Sequence, residues 1–174
     1  MGAPALDRQR VQATIWCQRS PVGGRDVAQP VDLVAGPSVR AQSASLRGKR
    51  VLLADDNRTN RLLLRLILDS AGVEVTEAED GAQAVAAWAA GNFDILLFDI
   101  MMPVMSGVDA LRQIRRRASP DTPGQVAIAV TTDVTPAALR RYREAGFDAC
   151  AHKPILASHF LALLEEICTA RAGS

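Results

Sequence analysis

From Lys49 onward, apolar runs and helical stretches alternate along the chain five times over. The runs at 50–54, 73–77, 94–98, 126–130 and 148–151 predict short strands, and the segments 58–71, 81–90, 107–117, 136–145 and 156–170 predict helices. Apolar residues recur at helical spacing, as with Leu62, Leu66 and Ile67 in the first helix and Phe160, Leu163, Leu164 and Ile167 in the last. Gly72 and Gly146 stand where helix-ending glycines belong. Five strand–helix repeats imply a parallel sheet with helices on both faces.

Four of these runs end on polar residues. Val51 to Ala54 leads into Asp55-Asp56, the run 93–98 closes on Asp99, Val126 to Val130 is followed by Thr131, and the last strand reaches Lys153-Pro154. Ligands in open parallel sheets bind beyond the carboxyl ends of the strands, so these four ends describe one site. Three carboxylates brought together repel one another and call for a cation. Oxygen-only ligands select a hard ion, and Mg²⁺ that keeps several waters is the natural choice. A plainer reading has Asp55 and Asp56 capping the helix that starts near Asn57. Asp99 at the end of a second apolar run weighs against it.

The pattern Asp99-x-x-Met102-Pro103-x-Met105-x-Gly107, with Asp55-Asp56, Thr131 and Lys153-Pro154, resembles the receiver (phospho-acceptor) domain of two-component response regulators from about Lys49 to about Ala170. The stretch Asn57-Arg58-Thr59-Asn60-Arg61 is most similar to receivers of hybrid sensor histidine kinases. The resemblance implies a doubly wound α/β fold, a five-stranded parallel sheet in flavodoxin-like order 2-1-3-4-5 with helices on both faces. It further implies that Asp99 takes a phosphoryl group from a histidine kinase or a histidine phosphotransfer protein docked on the first helix. Asp56, Asp99 and the backbone carbonyl of Met101 would ligate Mg²⁺ directly, with Asp55 acting through water. Lys153 would meet a phosphoryl oxygen as a point charge. The Lys153-Pro154 bond is expected to be cis. Thr131, with Thr132 as its rival, would hydrogen-bond the phosphate and pass its state to the following loop and on to an unnamed output partner.

The chain departs from the family pattern at three positions. Thr132 stands where a small residue is common, Cys150 where many members carry Tyr or Phe, and His152 precedes the lysine as an expected surface residue. The usual coupling of threonine to an aromatic ring is therefore in question here, whereas phosphoryl acceptance is not.

Composition narrows the remaining choices. Hydrophobic residues make up 48%, ample for a core, which four Phe, two Trp and one Tyr leave mainly aliphatic. Residues 1–49 carry seven basic and three acidic side chains, and residues 50–174 carry thirteen and sixteen, so the globular part is mildly acidic and lacks a stripe suited to nucleic acid. Cys17, Cys150 and Cys168 are scattered without a C-x-x-C pair, which suits a reducing compartment. Neither a secretory leader nor a membrane-length apolar run is visible, so a cytoplasmic location is expected. Residues 1–48 hold four of nine prolines and a Ser/Ala/Gln patch, and read as linker or disordered extension before a receiver at 49–171. Within them Val11 to Cys17 alternates like a short strand and weakly resembles the end of a kinase ATPase domain. Only Arg171 to Ser174 follow the last helix, so no DNA-binding output domain is expected. The expected role is a phosphorelay switch rather than an enzyme acting on a separate substrate, either as a stand-alone regulator or as part of a hybrid kinase. The alternatives are a pseudo-receiver that binds partners unphosphorylated, and a Mg²⁺-dependent phosphatase. The second is disfavoured by Met101 where a further Asp is usual.

Overall fold

The structure, a computed structural model, describes residues 13–15, 30–31, 45–118 and 124–172, with side chains in the two longer stretches as far as Ala170. Five strands, β3 (Arg50–Ala54), β4 (Glu74–Ala78), β5 (Ile95–Asp99), β6 (Val126–Thr131) and β7 (Ala149–His152), pair in parallel in the order β4-β3-β5-β6-β7. That is the 2-1-3-4-5 order expected from the sequence. The helices between and after them are α1 (Arg58–Ser70), α2 (Gly81–Ala90), α3 (Gly107–Arg117), α4 (Pro136–Ala145) and α5 (Ala157–Ala172).

Local chemistry fixes the helix ends. The Asn57 side chain accepts the amide hydrogens of Thr59 and Asn60, Asp80 that of Gln83, Ser106 that of Asp109 and Thr135 that of Ala138, each satisfying a donor the first turn leaves open. Gly146 closes α4 in the left-handed region at φ 97°. Gly72, at φ 76°, lets the chain turn so that the Val73 amide bonds back to Leu68 of α1. Val73 thus belongs to the turn, and the second strand starts one residue later than its apolar run suggests.

Alternation along each strand divides the core in two. Val51, Leu53, Ile95, Leu97, Ile128 and Val130 face α1 and α5, meeting Leu64, Leu68, Leu163 and Leu164. Leu52, Leu96, Phe98 and Ala127 face α2, α3 and α4, meeting Val85, Leu111, Ile114 and Tyr142. Each fully buried leucine contributes about 2 kcal/mol. On α1 the inward stripe is Arg61, Leu64, Ile67 and Leu68. Leu62 and Leu66, read from the sequence as part of the apolar spacing, face solvent at 55% and 59% exposure. A helix with leucines at 62, 63, 64, 66 and 68 offers two apolar stripes, and the sheet takes only one.

Two short strands lie beyond the parallel set. β1 (Ala13–Ile15) runs antiparallel to Ala149–Ala151 of β7, and β2 (Pro30–Val31) runs antiparallel to β1. β1 lies inside the Val11–Cys17 island; apart from β1 and β2, the expected linker up to residue 44 is outside the described residues. Leu46, three residues before the expected boundary, is fully buried in the α1/α5 half of the core.

Candidate functional site

The carboxyl ends of β3, β5, β6 and β7 bring the polar residues of the sequence motif together. Asp55, just past β3, is fully buried; Asp99, the last residue of β5, is 7% exposed; Asp56 is exposed. One carboxylate oxygen from each of the three lies within 4.8 Å of the others. Lys153 reaches over from the end of β7 and donates from Nζ to Asp55 Oδ2 and Asp99 Oδ2, both at 2.7 Å. The Lys153-Pro154 bond is cis. Asp55 is held further by the Asn57 amide at 2.9 Å and by Asn60 Nδ2, 3.3 Å from each of its oxygens. Asp99 Oδ1 accepts the Met101 amide hydrogen at 3.2 Å.

Electrostatics follow from this packing. Burial raises the Asp99 carboxyl above its ordinary value; the Lys153 ammonium opposes that rise and Asp55 adds to it. Burial works against the charge on Lys153, but its hydrogen bonds to Asp55 and Asp99 outweigh burial and hold the ammonium above its ordinary value. One cation thus serves two buried carboxylates. The Asp56 carboxylate has no hydrogen-bond or ion-pair partner among the described residues, and it faces water. An all-oxygen donor set, one side closed by Lys153 and the other open to solvent, fits a hard divalent ion that retains waters.

The glycines that open α2 and α3 have a steric role. A Cβ on Gly107 would run into the backbone carbonyl of Asp99, and one on Gly81 into that of Met105. The first turns of α2 and α3 can therefore close against the loop that follows Asp99. In that loop Val104 adopts φ 65°, a region a β-branched residue rarely enters, and its side chain is 85% exposed.

Thr131 is the last residue of β6 and is buried, whereas its rival Thr132 is exposed. Its carbonyl accepts the Lys153 amide at 2.8 Å, which places it beside the lysine. Thr131 Oγ1 accepts the Asp133 amide at 3.1 Å. Cys150 is buried in the α2/α3/α4 half of the core, and burial first, then Asp133, pushes its thiol up to about 12. His152 is half-buried at the end of β7.

Three side chains at the site were not singled out for it by sequence. Asn60 and Arg61 reach the Asp55–Asp56 turn from α1. Tyr142 of α4 is fully buried and donates its hydroxyl to the Asp133 carbonyl at 3.2 Å. For Arg61 a signal existed: it falls on one helical face with Leu64 and Leu68, so the inward stripe of α1 carried a charge.

A family model described as the response regulator receiver domain matches residues 51–165. The chain is 34% identical over 124 residues to the sensory/regulatory protein RpfC of Xanthomonas campestris pv. campestris, a match covering 71% of this chain and 17% of that protein. It is 37% identical over 115 residues to a response regulator receiver protein of Anaeromyxobacter, covering 66% of this chain and 47% of the relative. The chain therefore spans less than half the length of either. Among solved structures, the chemotaxis protein CheY4 of Vibrio cholerae superposes with a TM-score of 0.65 at 27% identity, over 69% of this chain and 98% of that one. The receiver domain of the sensor histidine kinase PA1611 from Pseudomonas aeruginosa, solved with a magnesium ion coordinated in its active-site cleft, superposes with a TM-score of 0.61 at 30% identity, over 73% of this chain and 99% of that one. No described helix is long and apolar enough to cross a membrane.

Proposed function

Because the chain belongs to the response regulator receiver family of two-component signalling, we propose that Asp99 accepts a phosphoryl group from a phosphohistidine and that the domain works as a phosphorelay switch. The observation that carries this reading is Lys153 Nζ, bonded at 2.7 Å to both Asp55 and Asp99 inside a three-carboxylate cluster. One oxygen of Asp99 attacks phosphorus in line, the N–P bond breaks, and its electron pair leaves with the imidazole, which takes up a proton from solvent. The product is an aspartyl phosphate. Asp56, Asp99 and the Met101 carbonyl would hold Mg²⁺, with Asp55 acting through water, and the ion would offset charge between carboxylate and phosphoryl oxygens. Lys153 contributes a fixed positive charge that needs no reorganisation when the phosphoryl group arrives. The Thr131 hydroxyl, which now accepts the Asp133 N–H, can rotate and donate to a phosphoryl oxygen, giving up its hold on the loop.

The partner fits the same geometry. Leu62, Leu63 and Leu66 lie exposed on α1 at 55%, 46% and 59%, an apolar strip on the helix that begins beside Asp56. Such a strip suits a helical histidine-bearing partner, whether a histidine kinase or a histidine phosphotransfer protein.

The test is intact-mass measurement after incubation with acetyl phosphate and Mg²⁺. Wild type should gain one phosphoryl group and Asp99→Ala none. An unmodified wild type, or an Asp99→Ala protein modified to the wild-type extent, sinks the proposal.

A further inference from the structure

Arg61 is a charge in an apolar stripe. It is 6% exposed between the sheet and α1, on the same face as Leu64, Ile67 and Leu68. A buried guanidinium is costly unless its donors are met, and four oxygens meet them. Nη1 donates to the Asp55 carbonyl at 2.8 Å and to the Asp56 carbonyl at 3.3 Å; Nη2 donates to Glu79 at 2.7 Å and Nε to Glu77 at 3.4 Å. The two carbonyls belong to the two residues that supply the carboxylates of the cluster. Glu77 lies on β4 and Glu79 just beyond it.

From this geometry we propose that Arg61 is a positioning residue for the divalent cation. It orients the peptide planes of Asp55 and Asp56 so that both carboxylates face Asp99. The inference rests on the proposed cation site and adds to it a residue that touches neither ion nor phosphoryl group. Asp56 supplies the reason the site needs it: with no partner among the described residues for its own carboxylate, its direction is set through its backbone. Nη1 holds two adjacent carbonyls while Nη2 and Nε reach Glu79 and Glu77, a spread over three nitrogens that a lysine ammonium at the end of a shorter, rounder side chain does not reproduce. Glu77 and Glu79 fix the fork from the far side and balance its charge.

Charge and geometry predict opposite outcomes. A cation near the site repels Mg²⁺, so if Arg61 mattered only through its charge, neutralising it would tighten Mg²⁺ binding. If it positions the ligands, removing the fork weakens binding whether or not the charge is kept. The experiment is calorimetric titration of Mg²⁺ into the full chain as wild type, Arg61→Lys and Arg61→Gln, with circular dichroism confirming the fold. Both variants should bind Mg²⁺ roughly tenfold or more weakly, the usual loss when an outer-shell partner is removed. Unchanged or tighter binding in a folded variant overturns the proposal while the cation site stands. A wild type that binds no Mg²⁺ overturns both. Should the variants not fold, the unmutated protein decides: the Arg61 Nε–H resonance should shift on adding Mg²⁺ with the calorimetric midpoint, and a resonance indifferent to Mg²⁺ counts against the role.

Discussion

The two halves of the site rim are built from different interactions. On the acidic half, Asp55 is gripped by Lys153, Asn57 and Asn60, and its backbone by Arg61, so nearly every bond involves a full charge. On the threonine half, the loop is tied to the rest of the domain by neutral bonds: Thr131 accepts the Asp133 amide hydrogen at 3.1 Å and Tyr142 donates its hydroxyl to the Asp133 carbonyl at 3.2 Å, while the Asp133 carboxylate bonds within the loop, to the Thr135 amide and hydroxyl. Thr132, Asp133 and Thr135 are exposed. Charge-assisted bonds are roughly twice as strong as the neutral kind, and a neutral hydrogen bond contributes only about 1 kcal/mol net. The acidic half is arranged to stay in place, and the threonine half to yield when a new acceptor appears.

The sharpest way to break this contrast is Lys153→Ala. It leaves two buried carboxylates without their shared cation, and loss of one partner from such a group costs ~3 kcal/mol or more. Urea unfolding should show a large loss in metal-free buffer, with Mg²⁺ restoring part of it. A loss of the same size with and without Mg²⁺ would mean that Lys153 does not offset the carboxylates.

Asp99→Asn should act in the other direction. The folded Asp99 carboxyl is raised above its unfolded value by burial, so its favourable contribution is present below the unfolded value, near pH 3.9, and is lost as pH rises through the folded one. At neutral pH without Mg²⁺ the variant should therefore melt a few degrees above wild type, and the gap should close in acid. A variant that melts lower at neutral pH contradicts this sign.

The smallest effects belong to the threonine half. Tyr142→Phe keeps the ring in the core and removes one hydrogen bond, at a cost of about 1 kcal/mol. Cys150→Ala should leave the phosphorylation-dependent hydrogen exchange of residues 132–135 intact, and Thr131→Ala should lose most of it. A response that survives Thr131→Ala but not Cys150→Ala would place the switch on β7 instead of on the loop.

The same division explains what could be read in advance. The strands, the helices and the residues Asp55, Asp56, Asp99, Thr131 and Lys153 follow from apolar periodicity and from polar residues at the ends of apolar runs, both local patterns. Arg61 and Tyr142 were harder, since their roles depend on contacts with main-chain atoms that carry no identity in the sequence. Arg61 meets carbonyls across a turn, and Tyr142 meets one nine residues upstream. Leu62 and Leu66 were ambiguous for another reason: periodicity reveals that a helix has an apolar stripe, and when it has two, only packing selects the inner one. The pairing of Ala13–Ile15 with β7 has no local signal beyond a brief alternation.

The margins of the sheet bear on how the molecule behaves in a crowded solution. An open strand margin invites a strand from another chain to pair with it. On one margin β4 turns Glu74 and Thr76 to solvent, with Glu77 taken up by Arg61 and Arg65, so a second copy approaching in register would set the Glu74 carboxylates against each other. On the other, the outermost strand among the described residues is two residues long and begins with Pro30, which has no amide hydrogen to offer. Both margins oppose open-ended strand addition, one by repulsion and one by a missing donor, so among the described residues contact with another protein falls to side-chain surfaces such as the exposed leucines of α1.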